Sequence, residues 1–274
     1  MIDGLILIVG GMAAGLFGSL LGLGGGLLIV PLLTLVFNLP LLTAVGVSLV
    51  CVIVTSGASA GVYLERRVAN LRLGMVLELF TAVGALAGGL AAFILPENVL
   101  ELLFAALLVY VAVTMLRGRD PEPEVGEAEA DAMAADIAAD NSFRASLSGP
   151  GYRVRHLGFG AVGSVVAGVT SALLGIGGGL VKVPVMHVVM GVPLRVATAT
   201  SNLMIGITAS ASAIIYLLRG GIDPYVASPT ALGVFFGASL GSRIAHRIDV
   251  KILRGLFVAI LLYTSWQMLQ RAFA

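Results

Sequence analysis

Shifted by 153 residues, the chain matches itself. Gly15 to Pro31, GLFGSLLGLGGGLLIVP, then lies over Gly168 to Pro184, GVTSALLGIGGGLVKVP. The register continues without a gap, with Pro40 over Pro193, Ala44 over Ala197, Ser48 over Ser201, Thr55 over Thr208, Ser59 over Ser212, Tyr63 over Tyr216 and Arg66 over Arg219. A shift of 149 then sets Thr81 to Gly84 over Thr230 to Gly233. Chance similarity between apolar stretches would not keep Gly, Pro, Ser, Tyr and Arg in step. The chain is a tandem repeat, so any fold must be one that two copies of the same unit can build.

The unit is made of membrane-length segments. Apolar runs of about 20 residues, the length that spans a bilayer, occupy roughly 4–22, 43–63, 73–95, 98–116, 157–175, 194–218, 224–242 and 252–270. Shorter apolar pieces fall at 27–39 and 180–191. Only 11% of residues are charged against 58% hydrophobic, where a water-soluble domain carries about 25% charged residues. The N-terminal run has Asp3 where a secretory signal needs basic residues, so it reads as a retained membrane segment. With one cysteine, Cys51, there is no disulfide framework and no thiol metal site, and the net charge of +1 without a basic stripe argues against nucleic acid. No metal or cofactor is expected.

Residues 118–156 interrupt the pattern with Pro121, Pro123 and the acids Asp120, Glu122, Glu124, Glu127, Glu129, Asp131, Asp136 and Asp140. This reads as a solvated acidic linker, with a short surface helix over 127–139, between a first transmembrane repeat at 1–117 and a second at 157–274. Basic residues give the topology, because cytoplasmic loops collect Lys and Arg. With Lys182 set aside because it sits within an apolar piece, if each unit crosses an odd number of times, Arg66, Arg67, Arg72, Arg117, Arg119, Arg144, Arg153, Arg155, Arg195, Arg243, Arg247, Lys251 and Arg254 share one side, and only Arg219 and Arg271 lie opposite. An even number gives a much weaker bias. The fold expected is an all-α polytopic membrane protein of two inverted-topology repeats. Each has a Gly-broken first helix, re-entrant or short-span, followed by three long helices. Both termini are expected outside the cytoplasm and the linker inside, in the inner cell membrane.

The glycine runs are where chemistry is expected. Each glycine costs a helix interior about 1 kcal/mol relative to Ala, so Gly24, Gly25 and Gly26, and likewise Gly177, Gly178 and Gly179, should unwind the first helix of each unit. Unwound backbone at membrane depth survives only when buried in protein or lining a cavity, and matching breaks in two halves point to a transporter's binding site. The helices restarting at Leu27 and Leu180 would aim free N–H groups at the bend, which favours an anion. The alternative is that the glycines only permit close helix packing, the reading given to Gly84, Gly88, Gly233 and Gly237.

Lys182 stands in place of Ile29, and a charge at that depth is seldom kept without use. It is expected to meet the anion or else to reach an interface. Ser48, Thr200, Ser201 and Asn202, with Thr198, add polar groups at the start of the next span; Glu78 and His187 are candidates for proton coupling. Met75, Met186, Met190 and Met204 read as apolar filling.

The paired GxGGGxxxxP runs, Ser48-Leu49 and the string Ala199-Thr200-Ser201-Asn202-Leu203-Met204-Ile205-Gly206 resemble the TauE/SafE family of membrane permeases, often described as sulfite exporters. The resemblance spans both repeats. It implies passage of a small sulfur oxyanion or organosulfonate such as sulfite, sulfoacetate or thiosulfate. Val47 replaces the Thr common in the family, so no polar role transfers to that position, and the linker is longer and more acidic than usual. The expected function is a secondary transporter for a small anion working by alternating access. An anion channel, or a non-transporting membrane partner acting through its linker, are the alternatives. No enzymatic site is expected, because there are no catalytically spaced carboxylates or nucleophile–base pairs. The Gly-rich faces would permit a homodimer.

Overall fold

In a computed structural model, described for residues 2–21, 25–65, 69–116, 143–149, 152–244 and 250–273, every regular element is helical apart from one bridge between Gly149 and Tyr152. The first unit contains α1 (Ile2–Leu21), α2 (Gly26–Pro31), α3 (Leu41–Glu65), α4 (Leu71–Ala92) and α5 (Glu97–Leu116). A short α6 (Phe143–Leu147) precedes the second unit, which contains α7 (Leu157–Leu174), α8 (Gly179–Pro184), α9 (Leu194–Leu218), α10 (Pro224–Ile244) and α11 (Val250–Phe273). Among the described residues, five helices are long and apolar enough to cross a membrane: α3, α4, α5, α7 and α9. The expected helix over 127–139 and most of the linker lie outside the described residues.

Both short helices continue into a π-turn, Leu32–Val36 after Pro31 and Val185–Val189 after Pro184. Proline has no N–H to give the helical ladder and crowds the preceding turn. The wider turn that follows is visible where Met190 N–H donates to Val185 O at 3.1 Å. The same residue thus imposes the same distortion at the same place in each copy.

Those short segments run back beside the helix they follow. A Cβ on Gly25 would lie 3.7 Å from Ala14 O, and one on Gly10 would meet Leu32 Cδ2 at 2.8 Å. In the second unit Gly178 lies against Ala167, Gly163 against Val185 and Gly160 against Met190. Each of Gly26–Val36 and Gly179–Val189 is about 16 Å long at 1.5 Å per residue, roughly half a bilayer.

The units interleave. α1 packs on α10 and, reciprocally, α7 packs on α4, while α3 meets α9 and α5 meets α11. Glycine permits the closest of these approaches. Side chains at Gly84 and Gly88 would strike the backbone of Val165 and Val169, and at Gly233 and Gly237 that of Ile8 and Met12. The packing expected of these four glycines is what they provide, and it occurs within one chain.

Burial is patterned for lipid rather than water. On α4 the outward stripe is Met75, Leu79, Val83, Leu86 and Leu90, whereas Glu78, Thr81, Gly84 and Gly88 face inward. The polar and small residues are buried, together with Leu73 and Leu77, as expected where helices associate through small residues and hydrogen bonds. Met186, Met190 and Met204 are core residues as read from sequence, but Met75 is not: it is 63% exposed, on the outer face of α4.

Candidate functional site

The first helix of each unit breaks at its glycines. Gly25, Gly175, Gly177 and Gly178 have φ of +74°, +69°, +76° and +75°, a region that residues with a Cβ enter only under strain. Gly24 lies outside the described residues. The two breaks touch one another: a Cβ on Gly26 would lie 2.5 Å from Gly175 O. Ser48, on α3, clasps the junction, its hydroxyl 2.7 Å from Gly175 O and 3.3 Å from Gly26 O. Ser48 was expected to face a ligand. Its proton is instead held by these carbonyls.

The second break is rich in unmet donors. Among the described residues no backbone carbonyl accepts the N–H groups of Gly177, Gly178 and Gly179 at hydrogen-bond geometry. Two hydroxyls beside them, Ser171 Oγ on α7 and Ser201 Oγ on α9, are buried and without a hydrogen-bond partner. A Cβ on Gly179 would sit 3.4 Å from Ser201 Oγ, and one on Gly178 would sit 3.3 Å from Ser171 Cβ. A buried hydroxyl left unpaired is unfavourable by about 1–3 kcal/mol, a cost that an acceptor-rich group beside this bend would relieve.

One turn further on, Lys182 points into the protein, 2% exposed. Its Nζ lies 3.0 Å from Glu78 Oε2 and 2.5 Å from Thr208 Oγ1, and Thr208 Oγ1 donates to Glu78 Oε1 at 2.6 Å. Lys182 therefore does not reach an interface, and Glu78 lies against it. Three helices, α8, α4 and α9, bring the two together as a neutral pair with a threonine bridging them.

The remaining candidates lie apart from this centre. Thr200 Oγ1 accepts the Asn70 N–H at 2.9 Å, at the start of α4. The backbone carbonyl of Asn202 accepts from Ser56 Oγ at 2.7 Å, tying α9 to α3. His187 Nδ1 lies 3.0 Å from Val192 O, at the end of the returning segment. Thr198 folds back on Leu194 O.

Sequence reasoning missed three groups. Thr208 carried a signal, as the repeat partner of Thr55, but its role depends on Lys182 being present in one copy only. Ser171 had none, since Gly18 stands in the corresponding place. Asn70 caps α4 through Leu73 N–H at 3.0 Å and donates to Leu147 O and Tyr152 Oη, each at 2.7 Å. It thereby fastens the last part of the linker, expected to be solvated, over the end of the bundle, where Leu147, Tyr152 and Val154 are buried against Leu73, Leu77 and Met204.

A separate cleft of about 580 Å³ runs along the first hairpin between α1, α2 and α11. Ala14, Phe17, Leu28 and Leu32 are among its apolar walls, and Asn38 and Arg271 lie at its polar end, where Arg271 Nη2 donates to Asn38 Oδ1 at 2.7 Å. None of its lining residues belongs to the Lys182 centre.

The profile of the sulfite exporter TauE/SafE family matches residues 7–268. The chain belongs to the TauE/SafE family. It is similar to the "Probable membrane transporter protein YunE" of Bacillus subtilis, 24% identical over 271 residues covering 96% of each chain. It is also similar to a "Probable membrane transporter protein" of Xylella fastidiosa, 27% identical and covering 97% of each. A "Probable membrane transporter protein" of Haemophilus influenzae is 27% identical over 291 residues. No solved structure matches it. As a TauE/SafE protein with five long apolar helices, it is a multi-pass membrane transporter, and a small solute and a lipid bilayer are its partners.

Proposed function

We propose that this protein is a secondary transporter of a small anion, of the sulfur oxyanion or organosulfonate class, working by alternating access between two units of opposite membrane topology. Helix directions support the opposition. Gly11 lies against Thr230 and Gly15 against Val234, so α1 and α10 run alike; Gly84 against Val165 and Gly88 against Val169 make α4 and α7 run alike. Asn70 meets Thr200 and Glu78 meets Thr208, so α4 also runs with α9. Gly46 meets Gly221 while Ser56 meets Asn202, which sets α3 against α9, and Arg271 lies at the Asn38 end of the first unit while Ser265 meets Ala105. Taking α1 as upward gives up, up, down, up for the long helices of 1–117, and down, down, up, down for those of 157–274.

In this reading the linker at 118–156 is cytoplasmic, both termini are outside, and the membrane is the inner cell membrane. Turnover is a rocking of one unit against the other about the contact between the two glycine breaks, Gly24–Gly26 and Gly177–Gly179. All described residues of these breaks are buried. The family's description as sulfite exporters supports the substrate class.

The observation that carries the proposal is the pair of buried, unpartnered hydroxyls of Ser171 and Ser201 beside the bare amides of 177–179. In proteoliposomes, a panel of sulfur oxyanions, sulfonates and carboxylates should show saturable counterflow of at least one labelled anion. Because neither hydroxyl has a bond to lose and both are buried unpaired, the S171A/S201A protein should unfold at or above the wild-type temperature yet carry the anion several-fold more slowly. Wild-type flux in that variant would remove the two serines from the site. Single-channel currents in place of counterflow would replace the carrier by a pore.

A further inference from the structure

Lys182 and Glu78 form a salt bridge with side chains 1% and 7% exposed. Among the described residues each is the other's only charged neighbour. α4 contributes Glu78 itself, while Arg72 near its start is exposed; α9 contributes Thr208 and Ser201, with Arg195 exposed at its start; α7 contributes Ser171; the π-turn after α8 contributes His187, whose Nδ1 faces Val192 O. Among the described residues no other charged group lies near enough to compensate either charge if the other is lost.

This arrangement limits what can be bound. An anion entering beside the intact pair would leave the buried centre at −1, and a proton entering alone would leave it at +1. An uncompensated buried charge is unfavourable by several kcal/mol. The two together leave it neutral. The proton goes to Glu78, whose carboxyl group then donates or accepts through Thr208 Oγ1, and the anion takes the carboxylate's place on the Lys182 ammonium. Release reverses both steps: the anion leaves, Glu78 gives up its proton, and Lys182 returns to the carboxylate at 3.0 Å.

We infer that the Glu78–Lys182–Thr208 centre makes transport an electroneutral co-movement of one proton with one monovalent anion, because Glu78 and the anion compete for Lys182. The inference rests on the anion-transport reading and adds two things to it: the coupling ion with its stoichiometry, and a preference for singly over doubly charged oxyanions.

The test uses the full-length protein in sealed proteoliposomes with labelled methanesulfonate, an anion that stays singly charged across the accessible pH range and so cannot carry the proton itself. A one-unit pH difference, acid outside, should accumulate the anion inside tenfold at equilibrium. A potassium–valinomycin potential should accumulate none. A uniported monoanion would do the reverse, tenfold for about 59 mV, inside positive. Glu78→Gln keeps the shape but cannot exchange a proton, so its response should pass from the pH gradient to the potential. Accumulation by the wild type that follows potential and ignores pH overturns the inference while leaving anion transport standing. Failure to move any sulfonate or oxyanion under either gradient overturns anion transport itself. The wild-type measurement decides without the variant should Glu78→Gln fold poorly.

Discussion

Replacing either member of the Lys182–Glu78 pair should be far worse for the fold than replacing both. Lys182→Met leaves a carboxylate that is 7% exposed on its side chain with only the Thr208 hydroxyl for company, and Glu78→Met leaves an ammonium that is 1% exposed in the same position. Removing one partner of a buried pair destabilises by about 3–5 kcal/mol, whereas exchanging both for well-packed apolar residues is neutral or stabilises by about 1–4 kcal/mol. Thr208 is not stranded in the double variant, since its hydroxyl has Met204 O at 3.1 Å as a second acceptor. Unfolding of the purified protein by SDS titration, followed by circular dichroism, would give all four corners of the cycle. The singles should each lose several kcal/mol, and the double should return close to wild type, so that the coupling energy exceeds about 3 kcal/mol. Single-variant losses that add to within about 0.5 kcal/mol would mean the two groups do not compensate one another. In that case the neutral-centre argument for transport would lose its basis as well.

Gly84→Ala and Gly237→Ala put a methyl group into the backbone of Val165 and Met12, and each should lower stability by about 1–3 kcal/mol. Gly57→Ala, in α3 with nothing within 4 Å of the added carbon, should raise it by up to about 1 kcal/mol; thermal unfolding in detergent distinguishes the two signs. Asn70→Ala removes the α4 cap and the bonds to Leu147 and Tyr152, a loss of about 1 kcal/mol from the cap alone. Trypsin should then cut faster at Arg153 and Arg155. Burial pushes the Tyr152 phenol above the ordinary tyrosine value, against a smaller opposing pull from Asn70. Docking of this segment should therefore hold below pH of about 10 and weaken as pH rises through the raised value; trypsin sensitivity that increases on acidification instead would contradict that sign.

Much of the fold can be read along the chain because it depends on local rules. Apolar run length placed the long helices to within a few residues of Leu41–Glu65, Leu71–Ala92 and Leu194–Leu218. Glycine density marked both breaks, and the helices restart at Gly26 and Gly179. The π-turns after Pro31 and Pro184 were not expected, although the prolines that impose them stand in register in the two copies. The repeat register also matters more than its length suggests, because Ser48 and Ser201, partners in register, have separate fates: one clasps the two breaks, while the other is left unpaired.

The candidate site was legible as a list of residues and illegible as an arrangement. Sequence identified Lys182 as a charge out of place and Glu78 as an acid inside a span. Thr200 looked as well placed as Ser201, yet a single position along α9 separates a helix-end contact with Asn70 from the interior of the bend.

The sequence by itself determined that this is a duplicated, helical, membrane-embedded chain with a glycine break in each half, since hydropathy, helix propensity and repeat register are properties of neighbouring residues. Tertiary structure alone decided that Lys182 meets Glu78, 104 positions away, and that the two breaks touch. Those contacts follow from which helix packs on which and at what rotation. That choice rests on the backbone approaches of α4 to α7 and α1 to α10, and no stretch of sequence read in isolation contains both sides of them.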